Sequence, residues 1–151
     1  MIEKYIQVLN TNPFFCGLIL QSFYKGFGKK HCDILLQYLV LPIVLYGETR
    51  KTLSEINIKT DLDRYVEKNK LSLLELQDRI EQFKKLTNLA MIYLHNKAKI
   101  KLDAEIEVIE SINYETFSDD LKNYLKASYY LGCLLSNSDT PSICKTLNVI
   151  L

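Results

Sequence analysis

The chain has 151 residues, of which 48% are apolar and 25% are charged, and its formal net charge is +1. This composition is typical of a globular domain and excludes a disordered chain, a collagen-like repeat and a disulfide-dominated scaffold. Residues 1–102 hold 16 Lys/Arg and 10 Asp/Glu, giving +6, whereas residues 103–151 hold 3 and 8, giving −5. We therefore expect one domain, residues 1–151, whose two signs of charge either face different partners or are ordinary solvated surface.

A helix is predicted to begin at Asn12 and Pro13. Asparagine is a good N-cap, and proline suits the first helical position, where no backbone N–H is needed. Gly26 and Gly28 are expected to end this helix, since glycine readily adopts the left-handed conformation of a helix terminus.

The most unusual segment of the chain is "LVLPIVLYGETRKTL", residues 39–53. The apolar run from Ile34 to Tyr46 would form a helix of about 20 Å, too short for a hydrocarbon core of about 30 Å. The N-terminus carries the acidic Glu3 and no cleavable apolar core, so we expect a cytoplasmic protein. The pattern predicts a helix from Asp33 toward Tyr46 that kinks or restarts near Pro42 and stops at Gly47, followed by a short helical or turn segment.

The middle of the chain contains two predicted helix starts. Thr60 with Asp63 has the form of a capping box. Ser72 with Glu75 forms a second one, and Leu71 and Leu76 occupy the positions of a hydrophobic staple. The amphipathic helix that follows is expected to reach Leu94 or His95.

After this helix the spacing of apolar residues changes from a helical to an alternating pattern. Along residues 99–108 apolar side chains alternate with charged ones, which favours a β-hairpin near residues 98–109. A three-residue loop, 103–105, pairs Leu102 with Ile106 and Ile100 with Val108, whereas a two-residue turn puts a carboxylate on the apolar face; a single edge strand is the alternative.

The C-terminal third predicts two more helices. Ser118 is a predicted N-cap of a long helix, and Thr140-Pro141 repeats the cap-plus-proline start of a short closing one. The expected fold class is therefore mainly α with one small β-hairpin, α+β, in a compact helical domain. A helix followed by a hairpin also fits a winged-helix layout.

The sequence offers no constellation that predicts catalysis, a metal site or a cofactor. The four cysteines lack CxxC spacing, and only two histidines are present. Cys32 follows His31 directly, so on a helix their side chains would point about 100° apart. The "GFGKK" stretch at 26–30 follows a helix rather than a strand, which argues against a phosphate-binding loop. We expect that the chain is not an enzyme.

Basic residues between 50 and 101 favour a weaker hypothesis, contact with the DNA backbone. Such contacts give salt-sensitive, non-specific binding. A winged-helix-like DNA-binding regulatory protein is therefore the alternative function. The candidate backbone contacts are Lys59, Arg64, Lys97, Lys99 and Lys101.

The order of these features resembles that of a known family. An Asn-Pro-Phe-Phe helix start, the segment 39–53 and the tail "YYLGCLLSNSDTPSICKTLNVIL" are together similar to the middle component of bacterial three-component ABC systems, the small subunit of Lamassu-type anti-phage defence complexes. The resemblance implies a hetero-oligomer of a Rad50/SMC-like ATPase that senses DNA, an effector such as a nuclease, and a non-enzymatic adapter between them.

For residues 39–53 the resemblance implies that the two halves of the segment have different roles. The first half would pack as a proline-kinked core helix, and Tyr46, Arg50 and Lys51 would reach the surface to bind a partner. A purely structural role of the kink is the alternative. The complex implied in this way involves no membrane, and its contact with double-stranded DNA would be non-specific.

Overall fold

The computed structural model describes residues 12–57 and 59–151. The N-terminal stretch "MIEKYIQVLN", on which the expectation about a leader rests, lies outside them. The described part is mainly helical with a small antiparallel sheet, which confirms the predicted α+β class. The elements are α1 (Pro13–Phe27), β1 (His31–Cys32), α2 (Gln37–Val44), α3 (Gly47–Ser54), α4 (Leu62–Lys68), α5 (Leu76–Asn96), β2 (Ile100–Leu102), β3 (Ile106–Val108), α6 (Asp119–Leu135) and α7 (Thr140–Leu147), with short 3-10 turns at Ile34–Leu36 and Tyr114–Thr116.

Helix α1 begins as the sequence predicts. The Asn12 side chain accepts a hydrogen bond from the backbone N–H of Phe14, and Pro13 is the first helical residue. The helix ends at Phe27, with Gly28 in the left-handed conformation at φ 74°. The expectation that Gly26 also ends the helix is wrong, because Gly26 lies inside it.

The reason for Gly26 is the close packing of α1 against α6, which forms the centre of the core. A Cβ atom added to Gly26 would lie 1.8 Å from the carbonyl oxygen of Tyr129, and one added to Gly132 would lie 2.3 Å from that of Phe23. Only glycine lets the two backbones approach this closely. The pair therefore depends on one glycine from each helix.

Two serines complete the contact between α1 and α6. The Ser22 hydroxyl donates to the carbonyl of Leu125 at 2.5 Å, and the Ser128 hydroxyl donates to the carbonyl of Ile19 at 2.7 Å. Both serines are fully buried. Each helix thus supplies a serine and, four residues later, a glycine to the same interface.

The sheet confirms the predicted hairpin and adds a strand. Strands β2 and β3 pair with Ile100 opposite Val108 and Leu102 opposite Ile106, the register that the three-residue loop predicts. Strand β1 pairs antiparallel with the other edge of β3, so the strand order is β1-β3-β2. Strand β1 has only two residues, too few to show an alternating pattern, so the sequence did not predict it.

Three predicted helix starts are displaced. The N-cap of α4 is Asp61, whose carboxylate accepts from the N–H of Arg64 at 2.8 Å, and not Thr60. The N-cap of α7 is Asp139 and not Thr140. The Ser72–Glu75 capping box is wrong, since α5 begins only at Leu76. The Leu71–Leu76 staple does not form, because Leu71 is 85% exposed.

Helix α2 is almost entirely buried against α5, α1 and α6. It continues through Pro42 and ends at Val44, and Gly47 begins α3 instead of ending α2. Leu39, Val40, Leu41 and Val44 are fully buried. None of the described helices combines the length and the apolar content needed to span a bilayer.

Candidate interaction surface

The C-terminus of α2 presents a problem of backbone hydrogen bonding. The last four carbonyls of an α-helix have no partner within the helix, and here they lie at least partly buried. The carbonyl of Leu41 accepts from the N–H of Leu45 at 2.9 Å. Three side chains satisfy the other three: Arg79 Nε donates to the carbonyl of Pro42 at 3.2 Å, Arg50 Nη1 donates to that of Val44 at 3.1 Å, and the Thr49 hydroxyl donates to that of Ile43.

The two arginines also oppose the negative end of the α2 dipole. They bring positive charge to the last turn of a helix that has no basic residue there. Burial lowers the pKa of the Arg79 guanidinium, and the neighbouring Tyr46 and the carboxylates of Glu75 and Glu48 oppose that shift. The abrupt change from apolar to basic residues in 39–53 therefore places polar caps directly after an apolar helix.

Both arginines stack on tyrosine rings. The guanidinium carbon of Arg79 lies 4.0 Å from the centroid of the Tyr46 ring, and that of Arg50 lies 4.2 Å from the centroid of the Tyr124 ring. At such distances cation–π attraction adds about 0.5–2 kcal/mol per pair, depending on solvent exposure. Of the three residues predicted to bind a partner, Tyr46 and Arg50 are half-buried in these contacts, and Lys51 is exposed.

The structure divides the candidate DNA contacts between two regions. Lys59 lies just before α4 and Arg64 lies on it, where Arg64 Nε is 4.0 Å from the carboxylate of Asp61. Of the three other lysines, Lys97 and Lys99 lie in the turn between α5 and β2, and Lys101 lies on β2. Among them, Lys99 Nζ is 2.8 Å from the Glu110 carboxylate, Lys97 lies near a tyrosine ring, and Lys101 is paired across the sheet with Glu107.

The comparison with protein families decides what kind of chain this is. Residues 2–151 match the model of the family described as ABC-three component (ABC-3C) system Middle Component 3. The chain belongs to this family. No curated protein and no solved structure shows a significant similarity to it.

Two cysteines and both histidines of this ABC-3C middle component are buried or have polar neighbours in its structure. Burial raises the pKa of Cys16 and of Cys32 to about 12, so both thiols stay protonated at neutral pH. Gln37 Nε2 donates to the Cys32 sulfur at 3.3 Å. His95 Nδ1 accepts from the backbone N–H of Leu102 at 3.4 Å, and His31 lies 3.9 Å from the Glu105 carboxylate. Within residues 12–57 and 59–151, no His/Cys/Asp/Glu group is arranged to hold a metal ion.

Sequence reasoning missed Arg79, which organises this part of the ABC-3C middle component. It contacts Tyr46 and Pro42 of the 39–53 region and also the loop before α5, where Arg79 Nη2 donates to the carbonyl of Ser72 at 3.1 Å. Arg79 directly precedes the fully buried Ile80. The sequence signal that could have identified Arg79 is a basic residue directly beside the apolar stripe of α5.

Proposed function

We propose that this chain is the non-enzymatic adapter of a cytoplasmic Lamassu-type anti-phage or anti-plasmid defence complex, where it joins a Rad50/SMC-like ATPase to an effector such as a nuclease. The observation that carries the proposal is the match to the ABC-3C middle component over residues 2–151. A middle component is one part of a larger assembly, so its function requires surfaces that bind other subunits.

The state of the nucleophilic side chains supports a non-catalytic role. A cysteine nucleophile reacts as the thiolate and is found where the pKa is lowered. Here burial raises the pKa of both buried thiols to about 12. The side-chain chemistry of Cys16 and Cys32 therefore serves packing in the core.

Helix α3 and its N-cap Tyr46 form the proposed contact, through Tyr46, Arg50 and Lys51. Internal stacking and hydrogen bonds fix Tyr46 and Arg50, so little conformational entropy is lost when a partner binds beside them. Lys51, with the exposed Glu48, forms the solvent side of α3. A rigid helix with fixed aromatic and arginine groups is a typical protein-binding surface.

Co-expression with the ATPase and the effector, followed by size-exclusion chromatography, tests the proposal. We expect all three chains to elute together, and the isolated subunit to leave ATP and DNA unchanged. Lys51→Glu should weaken the complex, whereas the control Lys25→Glu on the exposed side of α1 should not. A subunit that elutes alone at every salt concentration would refute the adapter role.

The alternative is a DNA-binding regulatory subunit with a winged-helix-like hairpin. It is favoured by Lys97, Lys99 and Lys101, three lysines within five residues at the start of the hairpin. It predicts that the isolated protein binds duplex DNA with an affinity that falls steeply with salt. Fluorescence anisotropy of a labelled duplex at 20 mM and 200 mM salt, on the order of the range over which such binding weakens, distinguishes the two functions.

A further inference from the structure

A groove of about 450 Å³ lies between α1 and α5. Phe14 and Leu18 line it from α1, and Tyr93 and the buried Leu94 line it from α5. Ile112, from the segment after β3, adds a further apolar side chain. Apolar walls and a volume between about 300 and 1,000 Å³ are typical of sites that bind small molecules.

Two aromatic rings form a corner of this groove. The ring centroids of Phe14 and Tyr93 are 6.0 Å apart, and the ring planes cross at 88°. Phe14 is 53% exposed, so its ring keeps surface open to solvent although it contacts Tyr93. A planar ligand ring can therefore stack on one of these rings while it lies at right angles to the other, and both arrangements are favourable.

The groove also contains a buried amide, the side chain of Gln21, which is 4% exposed. Gln21 follows Phe14 by seven residues, which is two helical turns, so both lie on one face of α1. Its Nε2 donates to the carbonyl of Glu110 at 3.1 Å. Within residues 12–57 and 59–151 no donor reaches its Oε1, which remains accessible from the groove. A ligand that donates a hydrogen bond to this oxygen would satisfy it.

The charged side chains of the groove leave one positive charge uncompensated. Lys97, Lys99 and Glu110 line it, and Lys99 Nζ lies 2.8 Å from the Glu110 carboxylate, so these two charges offset each other. Lys97 Nζ lies 5.9 Å from the centroid of the Tyr93 ring. Among the described residues, no carboxylate lies within 4.0 Å of this ammonium group. Lys97 is therefore free to attract an anionic group beside the aromatic corner.

We propose that this groove binds the base of a nucleotide, either a free nucleotide or one in an unpaired strand. The base would stack in the corner of Phe14 and Tyr93, and its amino or ring N–H would donate to Gln21 Oε1. The phosphate would lie near Lys97. An aliphatic side chain of another subunit would fill the apolar walls, but it would supply neither the donor nor the anion. The inference goes beyond the adapter function and does not depend on it.

Fluorescence anisotropy with the full chain and short fluorescein-labelled strands of oligo(dA) and oligo(dT) tests the inference. These strands should bind more tightly than an abasic strand of equal length, because base stacking contributes much of such binding. Phe14→Leu removes the ring at an exposed position and keeps an apolar side chain. We expect a circular dichroism spectrum like that of wild type and a Kd about tenfold higher, since stacking of one base is lost.

The matched control is Tyr130→Leu on α6. The Tyr130 ring also has a lysine beside it, with Lys126 Nζ at 6.0 Å from its centroid, but it does not line the groove. Its Kd should stay unchanged. Gln21→Met removes the amide at a similar volume, so the Kd should rise about three- to tenfold, as expected for one lost hydrogen bond.

Isothermal titration with adenosine and thymidine monophosphate distinguishes the two sources of the base. Binding of a monophosphate that Phe14→Leu abolishes indicates a free nucleotide, and binding of the strands alone indicates an unpaired nucleic acid. The inference is wrong if neither probe binds, if the abasic strand binds equally well, or if Phe14→Leu or Gln21→Met leaves the Kd unchanged.

Two other results would assign the groove differently and would also overturn the inference. Duplex binding that Phe14→Leu leaves unchanged, without binding of single strands or monophosphates, would support the DNA-backbone alternative. Loss of co-elution with the ATPase and effector in Phe14→Leu, again without nucleotide binding, would make the groove a contact for another subunit. Co-elution of the wild-type chains tests the adapter function separately, so either conclusion can fail while the other stands.

Discussion

Replacing Gly132 with alanine tests the packing of α1 against α6. The new Cβ would lie 2.3 Å from the carbonyl oxygen of Phe23 and 2.6 Å from the amide nitrogen of Phe27. Both atoms belong to the backbone, so no side chain can rotate away. Helices α1 and α6 would have to separate by about 1 Å to restore ordinary van der Waals contact.

Such a separation also breaks the two buried serine hydrogen bonds. Their donor–acceptor distances are 2.5 Å for Ser22 and 2.7 Å for Ser128, and about 1 Å more exceeds hydrogen-bonding range. Overpacking costs about 2 kcal/mol and each unsatisfied buried pair about 1.5 kcal/mol, while the helix propensity of alanine returns about 1 kcal/mol. The expected loss in the free energy of unfolding is therefore about 4 kcal/mol, much of the stability of a typical domain.

Urea denaturation followed by circular dichroism measures this loss. The matched control is Gly47→Ala at the first residue of α3, where the nearest atom to the new Cβ is the Arg50 side chain at 3.8 Å. That substitution should leave stability unchanged or raise it by up to about 1 kcal/mol. If Gly132→Ala is as stable as Gly47→Ala, the close approach of the two helices does not exist and the reasoning fails.

Three further predictions concern single side chains. Arg79→Lys should lower stability by about 1–3 kcal/mol in thermal melts, because lysine cannot cap α2 and stack on Tyr46 together. Tyr24→Phe removes the hydroxyl that donates to Gln37 Oε1 at 2.6 Å, leaves that buried oxygen unsatisfied, and should cost about 1–3 kcal/mol in urea denaturation. Burial raises the pKa of Cys32 to about 12, so its thiol stays protonated at pH 8.5 in the folded protein. Iodoacetamide should therefore label Cys32 only in denaturant, which mass spectrometry of its peptide would record. Fast labelling of the native protein would contradict the burial of this thiol.

Local patterns predicted the elements that local physics decides. The hairpin register follows from alternation, because any other pairing places a charged side chain on the buried face. The start of α1 follows from Asn12 and Pro13, since cap and first turn are adjacent in sequence. Both signals lie within a few residues of the structure that they specify.

Features set by distant contacts were not predictable in this way. The role of Gly26 depends on Tyr129, more than a hundred residues away, and the same glycine is a plausible helix end when read locally. The Ser72 capping box failed because the hydroxyl bonds back to Asn69 and Arg79 takes the carbonyl. The local sequence is compatible with two structural roles for Gly26 and for Ser72, and tertiary contacts determine which role each residue has.

The candidate site shows the same limit. The sequence placed Tyr46, Arg50 and Lys51 together after the apolar run, and the structure keeps them on adjoining turns. The sequence could not reveal that Arg79 stacks on Tyr46 or that Arg50 stacks on Tyr124, since Arg79 lies on α5 and Tyr124 on α6.

These internal contacts change what the surface can offer a partner. Arg79 joins the end of α2 to the loop before α5, so the proposed contact at α3 is anchored partly by a residue from another helix. A displacement of that loop would act on Tyr46 through the Arg79 guanidinium. If the adapter binds a subunit through α3, Arg79→Lys should loosen the Tyr46 ring and weaken that binding, as biolayer interferometry with the co-expressed subunits would measure.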